Sequence, residues 1–438
     1  MEMHMVKQSK KFVKPSTSTP QTFRHYKIGF TDEFAPVVDV SVVLFFPVNG
    51  DDSAKFDAQL EKSLPRTLSR FYPLAGRYVE EIQTVDCNDQ GAEFVHAKVN
   101  IKLQDFLDSI GNVKLVDDFI PSKTVAAYQV TDPLLSAQVT LFECGGVALG
   151  VSIAHKIADA STLSTFLIEW AARSREENEV ALTGFNSSSL FPARGLPSLG
   201  LGLPPSTTDD VVSKYVTIKI SLTDNMISML KEKLALRGRN ETTKWSKGQL
   251  ASALMLKGFI GVDRALHGYQ RECILLQPIN VREKFASLIP SDSCGNLWGL
   301  LTTECGIAET TEELADNLRD SIKKTINNYS EVHHDTEEGQ ALVLNSFVQL
   351  ANIPPMTNVI WLSSWCNFPF YDADFGFGKP IWASCGTLPV KNLAYLMDDV
   401  EGNGVEAYVC LDAKDVPHFE EALDMNQSFC SLNSTYFS

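Results

Sequence analysis

"AQVTLFECGGVALGVSIAHKIADASTLSTFLIEWAA", residues 137–172, decides how this chain folds. Two runs of strand-forming residues meet at Gly145-Gly146, a pair that readily adopts positive φ, so the stretch begins as a β-hairpin. In the second run Val147, Leu149, Val151 and Ile153 alternate with Ala148, Gly150, Ser152 and Ala154. One face is branched and buries; the other is small and lets a neighbour approach closely. Beyond Asp159 the period changes, because Leu163, Phe166, Leu167, Trp170 and Ala171 recur at helical spacing and place a helix start near residues 159–161. The succession predicts an α/β fold and leaves His155 at the carboxyl end of a strand, where such folds place ligands.

Spacing alone leaves two readings open. In one, His155 is a core histidine with its hydrogen bonds satisfied and Asp159 only caps the helix. In the other, His155 is a catalytic base and Asp159 fixes the turn that presents it, either as a cap or by pairing with a cation brought from elsewhere.

Outward from this stretch, "FDAQLEKSLPRTLSRFYPLAGR" sets Phe56, Leu60, Leu64, Leu68 and Phe71 near helical spacing, with Pro65 expected to kink or split the helix. The Ser-, Gly- and Pro-rich residues 185–210 mark a crossover between domains. After it come amphipathic helices: "SLTDNMISMLKEKLA", with Asp224 as its cap, and "TEELADNLRDSIKKTI", with Leu314, Leu318 and Ile322 four apart. Strand-like "ECILLQPINV" and "NVIWLSSW" lie among them, and Asn403-Gly404 between apolar runs predicts a late hairpin. At about 150 residues per domain, 438 residues accommodate two large domains.

A net charge of −16 sets a repulsive field against polyanions, so nucleic acid and anionic membrane partners are not expected. The longest apolar run, residues 37–48, is too short to cross a bilayer and carries Asp39. The amino-terminal residues lack the apolar stretch of a secretory signal. Nine cysteines without a CxxC pair read as reduced core thiols, and a cytoplasmic monomer is the expectation. There is no GxSxG elbow, no GxGxxG and no phosphate loop. His333, His334, Asp335, Glu337 and Glu338 form one polar run that reads as solvated surface, so no metal is expected.

Two motifs narrow the function. "HKIAD", His155 to Asp159, fits an HxxxD pattern, and "DFGFGKP", Asp374 to Pro380, fits a DFGWG block in the right order and separation. With "FYPLAGR" (71–77), "INVR" (279–282), "CGNLWG" (294–299) and "SSWCNFPFYDADFG" (363–376), the chain resembles the BAHD acyltransferases over nearly its whole length. These enzymes move acyl groups from coenzyme A thioesters to alcohols or amines. Finer segments such as "VDCNDQGAEFVHAKV" and "NLAYLMDDVEGNGVEAYV" resemble the vinorine synthase-like branch of alkaloid O-acetyltransferases, which mostly use acetyl-CoA.

The resemblance implies an α/β fold of two similar-sized domains, chloramphenicol acetyltransferase-like, each a mixed sheet flanked by helices, with a channel at the interface. Residues 1–195 would form the domain carrying HxxxD, 196–214 the crossover loop and 215–438 the second domain, with about 367–388 at the interface. Coenzyme A and acceptor would enter from opposite faces and meet at His155. By the same resemblance His155 is the general base in a ternary complex, and Asp159 turns away to pair with Arg282. Asp374 is carried over as a second catalytic residue, sometimes treated as functional in the family, although Gly376 and Gly378 beside it point to a tight loop and structural support. Ser246 and Lys247 are candidates for coenzyme A contacts, or else a helix cap and a surface lysine.

Acetyl-CoA is thus the expected cosubstrate, with no permanently bound cofactor, and a small alcohol the expected acceptor. The sequence departs from the family at Phe377, where a tryptophan is usual and could donate to an oxyanion. It departs again at Asn367, where transferases acting on shikimate-type acids carry an arginine, which disfavours a carboxylated acceptor. The alternatives are another acyl-CoA, an amine acceptor, or a homologue that has lost catalysis and binds its ligand.

Overall fold

The Gly145-Gly146 hairpin forms in the computed structural model, which describes residues 3–109, 113–121, 129, 131–177, 184–185, 187–196, 214–235, 245–305, 310–331 and 336–423. Strands Leu135–Phe142 and Val147–Ala154 pair antiparallel, and Gly145 takes φ +90° in the turn. A side chain there would collide with the backbone of Gly50, so the turn needs glycine for its conformation and for its space.

The chain divides into two compact units. Met1–Leu201, Ala286–Leu297 and Phe368–Gly386 make the first; Gly202–Phe285, Trp298–Asn367 and Thr387–Ser438 make the second. Both units are discontinuous in sequence, because residues 286–297 and 368–386 fold with the first unit. The physical reason is pairing: Trp382–Ser384 adds an antiparallel edge to strand Asp39–Phe46, and Asn296 and Leu297 hydrogen-bond to Asp32 and Asp159. Most of the crossover, residues 197–213, lies outside the described residues.

The first unit's main sheet runs Met5–Val13, Ala92–Val99, Leu135–Phe142, Val147–Ala154, Asp39–Phe46, Trp382–Ser384, mixed because Ala92–Val99 and Leu135–Phe142 are parallel. Val147–Ala154 is buried along its whole length, so both of its faces are covered. Its small face admits the segment Val113–Phe119, whose Phe119 carbonyl oxygen would lie 1.9 Å from a Cβ at Gly150. On the other face Phe46, across the ladder from Val147, meets Phe56 of helix Gly50–Arg70 at 5.1 Å between ring centroids. In that helix Phe56, Leu60, Leu64 and Leu68 are fully buried, and Pro65 sits inside one continuous element rather than splitting it.

The second unit's sheet runs Trp298–Glu304, Cys273–Asn280, Asn358–Ser364, Leu393–Asp398, Val405–Asp412, Tyr215–Leu222, with parallel pairing on both sides of Asn358–Ser364. Leu275, Ile360, Leu362, Ala394, Leu396, Ala407 and Val409 pack on helix Lys247–His267 and on Leu314 and Leu318 of helix Thr311–Glu331. Each unit is therefore a mixed sheet flanked by helices, and the architecture is two-domain α/β.

Two local expectations change. Helix Asp224–Ala235 is capped by Thr223, whose Oγ1 accepts from Met226 N, and Asp224 is its first residue. The late hairpin forms, but over residues 399–404: Asp399 Oδ1 accepts from Asn403 N and Gly404 N, while Gly402 takes the positive φ. A carboxylate organises a longer loop where a two-residue turn was expected.

Candidate active site

Strand Val147–Ala154 ends directly before His155, whose own N–H donates to Val38 O at 3.0 Å. The ring is half-buried, and its Nδ1 lies 3.2 Å from Asn296 Oδ1. The orientation of the Asn296 amide is decided by its other bonds: Nδ2 donates to Asp32 Oδ1 at 2.9 Å and to the His155 carbonyl at 2.6 Å. An ionised carboxylate and a carbonyl only accept, so the amide nitrogen faces them and the amide oxygen faces the imidazole. Nδ1 therefore carries the hydrogen, and Nε2 keeps its lone pair.

Asp32 anchors this arrangement. It is fully buried in the short helix Phe30–Phe34, and its carboxylate accepts from Gly29 N (2.7 Å), Ser187 Oγ (2.9 Å), Asn296 N (3.2 Å) and Asn296 Nδ2 (2.9 Å). Ser187 accepts in turn from the Tyr26 hydroxyl at 2.6 Å. Burial raises the Asp32 carboxyl to about 6, opposed by those donors, so it is ionised at neutral pH and all four donors are satisfied. Burial likewise pushes His155 below its ordinary 6.5, opposed by its own backbone, by the Asp159 charge and by Asn296.

Asp159 caps helix Ala160–Ser174. One carboxylate oxygen accepts from Thr162 N (2.8 Å) and Thr162 Oγ1 (2.9 Å), and the other from Leu297 N (3.1 Å). Thr162 Oγ1 also bonds Gly295 O at 3.0 Å and Gly295 N at 3.1 Å. Gly295 has φ +111°, and a Cβ there would lie 2.6 Å from Ser187 Oγ, so no other residue fits this bend. One carboxylate thus fastens both the helix start and the segment that carries Asn296.

Asp374 uses a single carboxylate oxygen to accept from Gly376 N (2.8 Å) and Gly378 N (3.0 Å), and both glycines have φ near +97°. Its main-chain carbonyl accepts from Arg175 Nη1. The loop is docked by Phe375, which meets Trp170 edge-on at 5.5 Å and whose carbonyl accepts from Gln59 Nε2 at 2.9 Å. Phe377 packs against Phe56 at 5.2 Å. These bonds are those of a scaffolded turn.

In the second unit Ser246 caps helix Lys247–His267 with a capping box, Gln249 N donating to Ser246 Oγ (3.1 Å) and Ser246 N to Gln249 Oε1 (2.9 Å). Lys247 is not a free surface lysine: Nζ pairs with Asp398 at 2.6 Å and donates to Gly402 O at 2.6 Å. Arg282 is buried, with its N–H and Nη1 donating to Asn280 Oδ1. Asn367 is exposed at φ +69°, its N–H donating to Asp398 Oδ2.

Among the described residues no group of three or more His, Cys, Asp or Glu could hold a metal ion, and no helix is long and apolar enough to cross a membrane. His333, His334 and Asp335 lie outside the described residues; Glu337 and Glu338 form the first turn of helix Glu337–Val348. Sequence reasoning missed Asp32, Asn296 and Thr162 as site residues. Asn296 lay in the quoted "CGNLWG" segment, but its bond to Asp32 spans 264 residues, and no local spacing reveals it.

A family model described as the Transferase family matches residues 3–425. Over 428 residues the chain is 33% identical to a pelargonidin 3-O-(6-caffeoylglucoside) 5-O-(6-O-malonylglucoside) 4'''-malonyltransferase of Salvia splendens, covering 95% of this chain and 97% of that one. It is 34% identical over 423 residues to vinorine synthase of Rauvolfia serpentina (93% and 94% covered) and 31% over 440 residues to stemmadenine O-acetyltransferase of Catharanthus roseus (98% and 98%). The crystal structure of vinorine synthase superposes with a TM-score of 0.82 at 31% identity, covering 96% of this chain and 98% of that one. A histidine at a strand end with Asn296 on its Nδ1, carried on this fold and in these relatives' company, identifies the chain as a member of the BAHD family, an acyl-CoA-dependent acyltransferase.

Proposed function

We propose that the chain transfers an acetyl group from acetyl-CoA to a hydroxyl of a specialised metabolite, an alkaloid or terpenoid alcohol, with His155 as general base. The observation that carries this reading is the hydrogen-bonded orientation of the Asn296 amide, which holds the proton on Nδ1 and leaves Nε2 to take the acceptor's hydroxyl proton. As the oxygen attacks the thioester carbon, the imidazolium forms; it then returns the proton to the departing thiolate of coenzyme A. Holding donor and acceptor together supplies the rate advantage of proximity, so no acyl-enzyme is needed. Acetyl as the donor group and an alkaloid as acceptor are supported by the stemmadenine O-acetyltransferase relative, and Asn367 in place of an arginine favours a neutral or amine-bearing acceptor.

Asp159 and Arg282 are proposed as a structural pair, and Asp374, Gly376 and Gly378 as the support of their loop. Ser246 and Lys247, at the positive end of a long helix, are the proposed contacts for coenzyme A. Cytoplasmic location and action as a monomer complete the proposal.

Purified protein incubated with a panel of alkaloid and terpenoid alcohols tests the donor: acetyl-CoA is expected to give product faster than malonyl-CoA, the group named for the Salvia relative. A preference for malonyl-CoA would replace the acetyl reading. Mixing with labelled acetyl-CoA alone should leave no label on denatured protein; stoichiometric label would overturn the ternary-complex mechanism.

The pH profile is a further expectation. The base works only when neutral, and burial lowers its pKa, so the neutral form persists to more acidic pH than for a free imidazole. kcat/KM should be flat through neutral pH and fall only below 6.5, steepened near about 6 where Asp32 takes up a proton and loses an acceptor site. An acid limb centred above 6.5 would contradict this.

A further inference from the structure

We propose that Cys273 and Cys305 form a latent cross-strand dithiol that a hydroperoxide converts to a disulfide, stapling the base of the segment that carries Arg282 and Asn296. The two residues close the ladder between strands Cys273–Asn280 and Trp298–Glu304. Ile274 is paired with Glu304, so the next opposite pair is Cys273 and Cys305, and Cys305 N donates to Cys273 O at 2.9 Å. Opposite residues of an antiparallel ladder lie about 4.5–5.5 Å apart at Cα, inside the range a disulfide spans. Both side chains belong to the same buried cluster and neither sulfur is in a disulfide, while Cys305 Sγ donates to Thr303 O at 3.6 Å.

Position gives the pair its consequence. The chain leaves the ladder at Asn280, passes through Arg282, folds residues 286–297 with the first unit and re-enters the ladder at Trp298. A bond between Cys273 and Cys305 closes this excursion into a covalent loop and removes freedom from its open states. The chemistry balances in two steps. The Cys273 sulfur, the slightly more accessible of the two, attacks the peroxide to give a sulfenic acid and water or alcohol; the Cys305 thiol then displaces water to give the disulfide. Trp298–Glu304 is an edge strand, so local opening there is the least costly route for the oxidant. Hydrogen bonding to Cys305 and burial both raise the Cys273 thiol, which makes the reaction slow and dependent on that opening.

The test exposes the reduced full-length protein to hydrogen peroxide, alkylates remaining thiols in denaturant and maps the digest by mass spectrometry. The expected product is a peptide pair joined through Cys273 and Cys305, lighter by two hydrogens, formed ahead of any pair that includes one of the other seven cysteines. Its formation should raise the melting temperature and be reversed by dithiothreitol, and C273A and C305A should each abolish both the species and the shift. The proposal is overturned if Cys273 and Cys305 remain alkylatable while exposed Cys144 oxidises, or if they end as sulfinic acids without a cross-link. None of these readouts depends on the acyl donor or acceptor, so failure here leaves the proposed reaction standing.

Discussion

Replacing His155 with alanine is expected to lower kcat by roughly 10²- to 10⁴-fold, the contribution of a positioned general base. The side chain is half-buried, and Asn296 keeps its bonds to Asp32 and to the His155 main chain, so the fold is retained and melting shifts by about 1 kcal/mol or less. Steady-state kinetics with thermal melting on the same preparation separates the two effects. Activity within tenfold of wild type would show that another group takes the proton.

Asp159 should behave in the opposite way. Alanine there removes the acceptor of Thr162 N, Thr162 Oγ1 and Leu297 N. A lost N-cap costs about 1 kcal/mol and an orphaned buried donor about 1–3 kcal/mol, so a loss of roughly 2–4 kcal/mol is expected. Activity falls with it because the segment bearing Asn296 is released, while the acid limb of any remaining activity stays in place. Asp159→Asn, which keeps one acceptor oxygen, should lose less. Arg282→Ala is expected to reproduce the loss if the two residues pair. Wild-type melting and turnover in both Asp159→Ala and Arg282→Ala would remove the structural role.

These two residues also show where sequence reasoning reaches. The hairpin, the strand and the helix around His155 were legible because hydrophobic period and Gly145-Gly146 are local signals. Asp159 as a cap was legible for the same reason. That its second oxygen would hold Leu297, or that Asp32 would orient Asn296, was not, since those contacts join segments 138 and 264 residues apart. The discontinuous first unit was hidden likewise: nothing in "PIWASC" announces that Trp382–Ser384 pairs with Asp39–Phe46. Asn403-Gly404 misled because Asp399 offers its carboxylate to both N–H groups and draws the turn into a longer loop.

The Asp374 carboxylate is engaged by its own loop. A carboxylate oxygen already accepting from Gly376 N and Gly378 N at a glycine-dependent bend is committed to the loop's shape. Phe377 stands where the family usually has an indole donor, and its ring rests on Phe56 instead, so oxyanion stabilisation, if present, comes from other groups.

The proposed reaction is acceptor-dependent acyl transfer through His155. The direct measurement follows free thiol released from acetyl-CoA and ester formed, in parallel, with and without a polycyclic alcohol, for wild type and His155→Ala. Thiol release should require the alcohol, match the ester one for one and fall at least about 100-fold in the variant. Equal release in both proteins, or no ester from any acyl-CoA and any alcohol with wild type, would contradict it.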